Sequence, residues 1–130
     1  MDISYGSDRF ALARFTAGGR LDPTFGNAGR LLTELDWSSA DLALQGDGKI
    51  VAAGGSDDPA LARMLPAGEL DSSFGSAGTV VTSLGSRGAI AASAATIQRT
   101  YEIVAVGTNN GDFVVARYLP DGSLDPTFGS

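Results

Sequence analysis

The chain has 130 residues, a formal net charge of −6, 43% hydrophobic residues, and neither histidine nor cysteine. The two missing residue types exclude disulfides, thiolate metal sites and histidine-based acid–base or zinc chemistry. The acidic balance opposes binding to nucleic-acid phosphates, which lysine and arginine drive. No apolar run approaches the roughly 20 residues of a membrane span, and Met1-Asp2-Ile3-Ser4-Tyr5 has no basic region leading into an apolar stretch, so no signal peptide is expected here.

In chain order, Ile3 to Gly6 reads as the tail of a preceding unit, because Gly54 and Gly107 close equivalent stretches later. Phe10 to Phe15 alternates with period two and predicts a strand. Thr16-Ala17-Gly18-Gly19-Arg20 is turn chemistry. It leads into Leu21-Asp22-Pro23-Thr24-Phe25-Gly26, which returns as Leu70-Asp71-Ser72-Ser73-Phe74-Gly75 and as Leu124-Asp125-Pro126-Thr127-Phe128-Gly129, at offsets of 49 and 54 residues. A fixed period of this size marks a repeat architecture. Further strands are predicted over 29–35, 40–45 and 49–54, the last two joined by the hairpin signal Asp47-Gly48. The second unit repeats the plan with strands at 60–64, 79–84, 91–98 and 102–107. An extra surface loop is expected around Gly85–Gly88. The alanine-rich run Ala89–Ile97 has helical propensity, but its place in the repeat predicts a strand. A third first strand, near Phe113, and its hallmark end the sequence.

The expected organisation is one repeat domain over 1–130. Residues 1–6 are the remnant of a preceding unit, 7–55 the first repeat, 56–108 the second and 109–130 a partial third. Four short antiparallel strands per unit, with no helix, predict an all-β, β-propeller-like fold of four-stranded blades, about two and a half per chain. The small residues Ala11, Ala13, Ala60, Ala62 and Ala116 suit a first strand near a crowded axis.

The runs Phe-Ala-Leu-Ala-Arg-Phe, Gly-Arg-Leu-Asp-Pro-Thr-Phe-Gly and Leu-Ala-Leu-Gln-Gly-Asp-Gly-Lys-Ile-Val-Ala-Ala-Gly resemble the bacterial delta-60 repeat family. The likeness covers nearly the whole chain. It is weakest between Gly85 and Glu102, where Arg99-Thr100-Tyr101 replaces the Asp-Gly-Lys turn, and at Pro59, where an aromatic is usual. The resemblance implies a propeller-forming repeat of no assigned activity, in secreted or cell-surface proteins.

Candidate chemistry is sparse. Arg14, Arg63 and Arg117 each precede an aspartate by eight residues: Asp22, Asp71 and Asp125. Recurrence in every copy favours a structural pair bridging strand and turn over an anion site. Acidic turns at Asp8, Asp47, Asp57, Asp58, Asp112 and Asp121 are the candidates for Ca²⁺, yet none has the spacing of a calcium loop, and Asx-turns explain them. No cofactor and no metal site is expected. Trp37 and Tyr101 occur in single copies and are the candidate binding residues, as platforms for a sugar or anchors for a partner. Glu34, Asp36 and Asp41 are the carboxylates nearest to a glycosidase-like pair, with nothing to make them converge, so an enzyme is not expected. The leading expectation is a non-catalytic scaffold or protein-interaction module, with a carbohydrate-binding, lectin-like propeller as the alternative. Because two and a half blades fall short of the 4–8 of closed rings, the expected partners are further copies, in a homo-oligomeric ring or filament with 113–130 at the junction, or neighbouring repeats of a longer array. Nucleic acid and membrane insertion are not expected.

Overall fold

A computed structural model describes residues 9–33, 35, 38–55, 58–83, 92–109 and 111–129. Every regular element among them is a strand: β1 (Ala11–Ala13), β2 (Arg30–Leu32), β3 (Ser38–Leu44), β4 (Ile50–Gly55), β5 (Pro59–Met64), β6 (Thr79–Val81), β7 (Ala92–Ile97), β8 (Ile103–Asn109) and β9 (Asp112–Tyr118). The described part of the alanine-rich run, residues 92–97, is thus extended, as β7; its residues 89–91 lie outside the described residues. The loop expected at 85–88 and the remnant over 1–6 lie outside the described residues.

The strands form three antiparallel sheets, with orders β1-β2, β3-β4-β5-β6 and β7-β8-β9. Among the described residues only the middle sheet has the four strands expected of every blade. Sequence repeats and sheets are also out of phase. The middle sheet takes β3 and β4 from residues 7–55 and β5 and β6 from 56–108. The reason is pairing length. β4 and β5 match over six rungs, Ile50↔Met64 to Gly55↔Pro59, whereas β1 and β2 match over three. The long hairpin therefore defines the sheet, and the chain steps to the next sheet between β2 and β3. Proline is tolerated at Pro59 because it is the first residue of its strand.

All residues of β4 and β5 are buried, so the middle sheet is covered on both faces. Period-two alternation divides them. Val51, Ala53 and Leu61 face the β7-β8-β9 sheet, in a core with Phe74, Ile103 and Tyr118. Ile50, Ala52, Ala62 and Met64 face the β1-β2 sheet, in a second core with Phe10 and Phe25. Small residues at 60 and 62 let two sheets approach. β5 lies inside its sheet, flanked by β4 and β6, and both faces of that sheet are covered.

Candidate functional site

The recurring hallmark builds one site three times. In the middle copy, Asp71 N–H donates to the Arg63 carbonyl (2.8 Å) and Phe74 N–H to the Asp71 carbonyl (3.0 Å). These bonds fold the turn back onto β5. Asp71 Oδ1 accepts from the Ser73 amide and hydroxyl, an Asx-turn of the kind short polar side chains favour. Asp71 Oδ2 accepts from Arg63 Nε (2.8 Å) and pairs with Lys49 Nζ (3.0 Å). The Arg63 guanidinium lies 4.5 Å above the centroid of the Phe74 ring. Its Nη1 donates across to the Pro120 carbonyl in the turn of the neighbouring sheet. Gly75 N–H donates to the Asp121 carbonyl of that same turn (2.8 Å). Gly75 is required at this point: its φ is +55°, and a Cβ would sit 2.3 Å from the Thr79 carbonyl oxygen.

The first copy repeats these contacts. Arg14 Nε donates to Asp22 Oδ2 (2.8 Å), Nη2 to Thr24 Oγ1 (3.0 Å) and Nη1 to the Pro66 carbonyl (2.6 Å). Arg14 covers Phe25 at 4.7 Å, and Gly26 N–H reaches the Ala67 carbonyl (2.8 Å). The third copy is half-built. Arg117 Nε donates to Asp125 Oδ2 (2.7 Å), Nη2 to Thr127 Oγ1 (3.3 Å), and the guanidinium covers Phe128 at 4.8 Å. Among the described residues no turn carbonyl accepts from Arg117 Nη1 or from the Gly129 amide.

Electrostatically the three carboxylates are held below their ordinary range. For Asp22, Asp71 and Asp125 the main cause is the hydroxyl of Thr24, Ser73 and Thr127 respectively. Lys49 and Arg63 add to the effect at Asp71. Hydroxyls and guanidinium donate to the charged form and so stabilise it. Groups of this kind have no proton to give near neutral pH. In Arg14 and Arg63 all three guanidinium nitrogens donate within the protein, which weighs against an anion site. The pairing of each arginine with the aspartate eight residues on was legible in sequence; the reach to the adjacent sheet was not. The available signal was proline recurring three residues after the arginine, Pro66 and Pro120.

Of the single-copy aromatics, Trp37 lies outside the described residues. Tyr101 occupies the left-handed position of its hairpin (φ 70°), where the first unit has Gly48. Its hydroxyl lies 3.3 Å from where a Cβ on Gly46 would stand, so it leans on the hairpin of the middle sheet and keeps 37% of its surface exposed. Glu34, Asp36, Asp8 and Asp57 also lie outside the described residues. Asp41 accepts the Ala95 amide of β7 (3.0 Å) and so helps to join two sheets. Asp47 and Asp121 accept their local turn amides. No group of three acidic side chains close enough to hold a metal ion occurs among the described residues.

A family model described as a domain of unknown function (DUF5122) beta-propeller matches residues 2–25, 45–74 and 102–128, more than half of the chain. Each matched segment stops at or next to a hallmark phenylalanine, Phe25, Phe74 or Phe128. The middle one holds β4, β5 and their hallmark together, in phase with the sheets. A search of curated proteins found no match.

Proposed function

The chain belongs to the DUF5122 β-propeller family, and from that premise we propose that it is a non-catalytic module, a scaffold and protein-interaction surface made of stacked sheets. One observation carries this reading. The polar side chains that recur with the repeat are engaged in joining one sheet to the next, through Arg14 to Pro66 and Arg63 to Pro120. Their aspartates are ionised and saturated with donors. Incubation with a broad panel of glycoside, ester and phosphoester substrates should give no turnover above background. Saturable turnover of any of them would overturn the reading.

The alternative is a carbohydrate-binding propeller module, and the partial exposure of Tyr101 supports it. Titration with sugars, read by the fluorescence of the single tryptophan, separates the two: a saturable response favours the lectin-like module. A structural calcium would show itself as a melting temperature that falls on chelation, and none is expected to fall. The delta-60 resemblance further suggests a bacterial protein acting at the cell surface or outside the cell.

A further inference from the structure

We propose that the outer face of the β7-β8-β9 sheet binds the outer face of the β1-β2 sheet of a second copy of this chain, head to tail, through the joint that already occurs twice within the chain. This rests on the interaction-module reading above and names its partner.

The joint has two halves. One is the hallmark with its arginine: Arg14/Phe25/Gly26, Arg63/Phe74/Gly75 and Arg117/Phe128/Gly129. The other is the turn that follows the first strand of the next sheet. The two internal turns superpose in their bonding, with Leu65 N–H to the Glu69 carbonyl and Leu119 N–H to the Ser123 carbonyl. The first unit makes the same turn, Thr16 N–H to the Arg20 carbonyl (2.7 Å). In it Ala17, Gly18 and Gly19 stand where Pro66, Ala67 and Gly68 stand, and where Pro120, Asp121 and Gly122 stand. Those acceptors take Arg Nη1 at the first position and the hallmark glycine amide at the second. At the third, Gly68 and Gly122 lie under the rings of Phe25 and Phe74.

Among the described residues, one hallmark therefore lacks a turn and one turn lacks a hallmark. A Cβ on Gly19 would meet nothing within 4 Å, and neither would one on Gly129. Phe128 is 38% exposed, whereas Phe25 and Phe74 are covered. The flanking faces tell the same story. Leu61 is buried against the next sheet, but its counterpart Val115 is 48% exposed, and beside it Phe113 is 85% exposed. On the other face, Ala60, Ala62 and Met64 are buried, while their counterparts Ala11 and Ala13 are exposed and Phe15 is 61% exposed. Each open face is thus the mate of the other, and an open apolar face of this sort marks an interaction site.

In the assembly, Arg117 Nη1 donates to the Ala17 carbonyl of the second copy, the Gly129 amide donates to its Gly18 carbonyl, and Phe128 covers its Gly19. The contact is heterologous, so it closes into a ring or propagates as a filament. Two copies bring together twice the three sheets described, within the 4–8 blades of closed propellers.

The test uses light scattering after gel filtration, over a dilution series. The unsubstituted chain should run at a multiple of its 13.2 kDa. Ala13→Arg blocks the head and Val115→Arg the tail, each at a position exposed in the single chain. Each variant alone should run as a monomer, and a one-to-one mixture should give a heterodimer, because it still contains one native head and one native tail. Circular dichroism of the variants should match the parent, and their melting temperature should match that of the parent at its most dilute, since assembly itself stabilises the folded chain. In the parent, hydrogen exchange at the Gly129 amide should slow as concentration rises. A folded parent that stays monomeric at every concentration, an assembly that survives both blocks, or a Gly129 amide indifferent to concentration would each overturn the proposal. A monomer inert on the substrate panel removes the second copy as partner and leaves the non-catalytic reading standing; turnover removes that reading whatever the mass.

Discussion

Replacing Arg63 with alanine should be among the most damaging single changes at a charged position. Both partners of the Arg63–Asp71 pair are almost fully buried, at 5% and 4% exposure. The substitution removes the 2.8 Å bond to Asp71, the bond to the Pro120 carbonyl that ties two sheets, and the cover over Phe74. It leaves Asp71 buried with Lys49 as its one remaining cation. Breaking a buried pair costs about 3–5 kcal/mol. Because Lys49 remains, the low end applies, about 3 kcal/mol. For a chain of this length that is a fall of roughly 10 °C in melting temperature. Arg14→Ala is the internal control. It breaks the same set of bonds at a half-exposed pair, where solvent screening should make the loss clearly smaller. Arg63→Lys keeps the charge but not the planar fork, and should fall between the two. Thermal melts followed by circular dichroism decide the matter. If Arg63→Ala melts no lower than Arg14→Ala, the claim that buried arginine staples hold the sheets together is wrong.

Three further outcomes follow from the same geometry. Because Asp71 is held below its ordinary value, its stabilising contribution is fully present above the unfolded-state pKa of about 3.9 and is lost as pH falls from there through the depressed folded value; melting temperature should drop in that window, and less so in Asp71→Asn. Gly75→Ala drives a Cβ into the Thr79 carbonyl and Val80, and should cost at least about 3 kcal/mol in denaturant unfolding, whereas Gly129→Ala meets open space and should cost only about 1–2 kcal/mol for its positive φ. Tyr118→Phe breaks the buried 2.6 Å bond between the tyrosine and Thr82 hydroxyls and should cost about 1–3 kcal/mol; in the parent, burial should hold Tyr118 un-ionised above the pH at which ordinary tyrosines titrate, visible as a late step in ultraviolet absorbance.

The repeat, the extended nature of every regular segment among the described residues and the arginine–aspartate partnership were all legible in the sequence. Each depends on local rules: period-two alternation, turn residues and a fixed spacing of eight between partners that one strand and one turn bring together. Even the alanine-rich run at β7 was readable once its place in the repeat outweighed its helical propensity. What the sequence left open is the phase of the sheets. A tandem repeat has the same period wherever its unit is cut, so only the six-rung pairing of β4 with β5 decides that the middle sheet straddles two sequence repeats. Burial was hidden for the same reason. Ala13 and Ala62, or Val115 and Leu61, occupy equivalent places in sequence, yet one of each pair is covered and the other exposed, because among the described residues only the middle sheet has a neighbour on both faces. Tertiary stacking alone turned Arg63 from half of a local ion pair into a link between sheets.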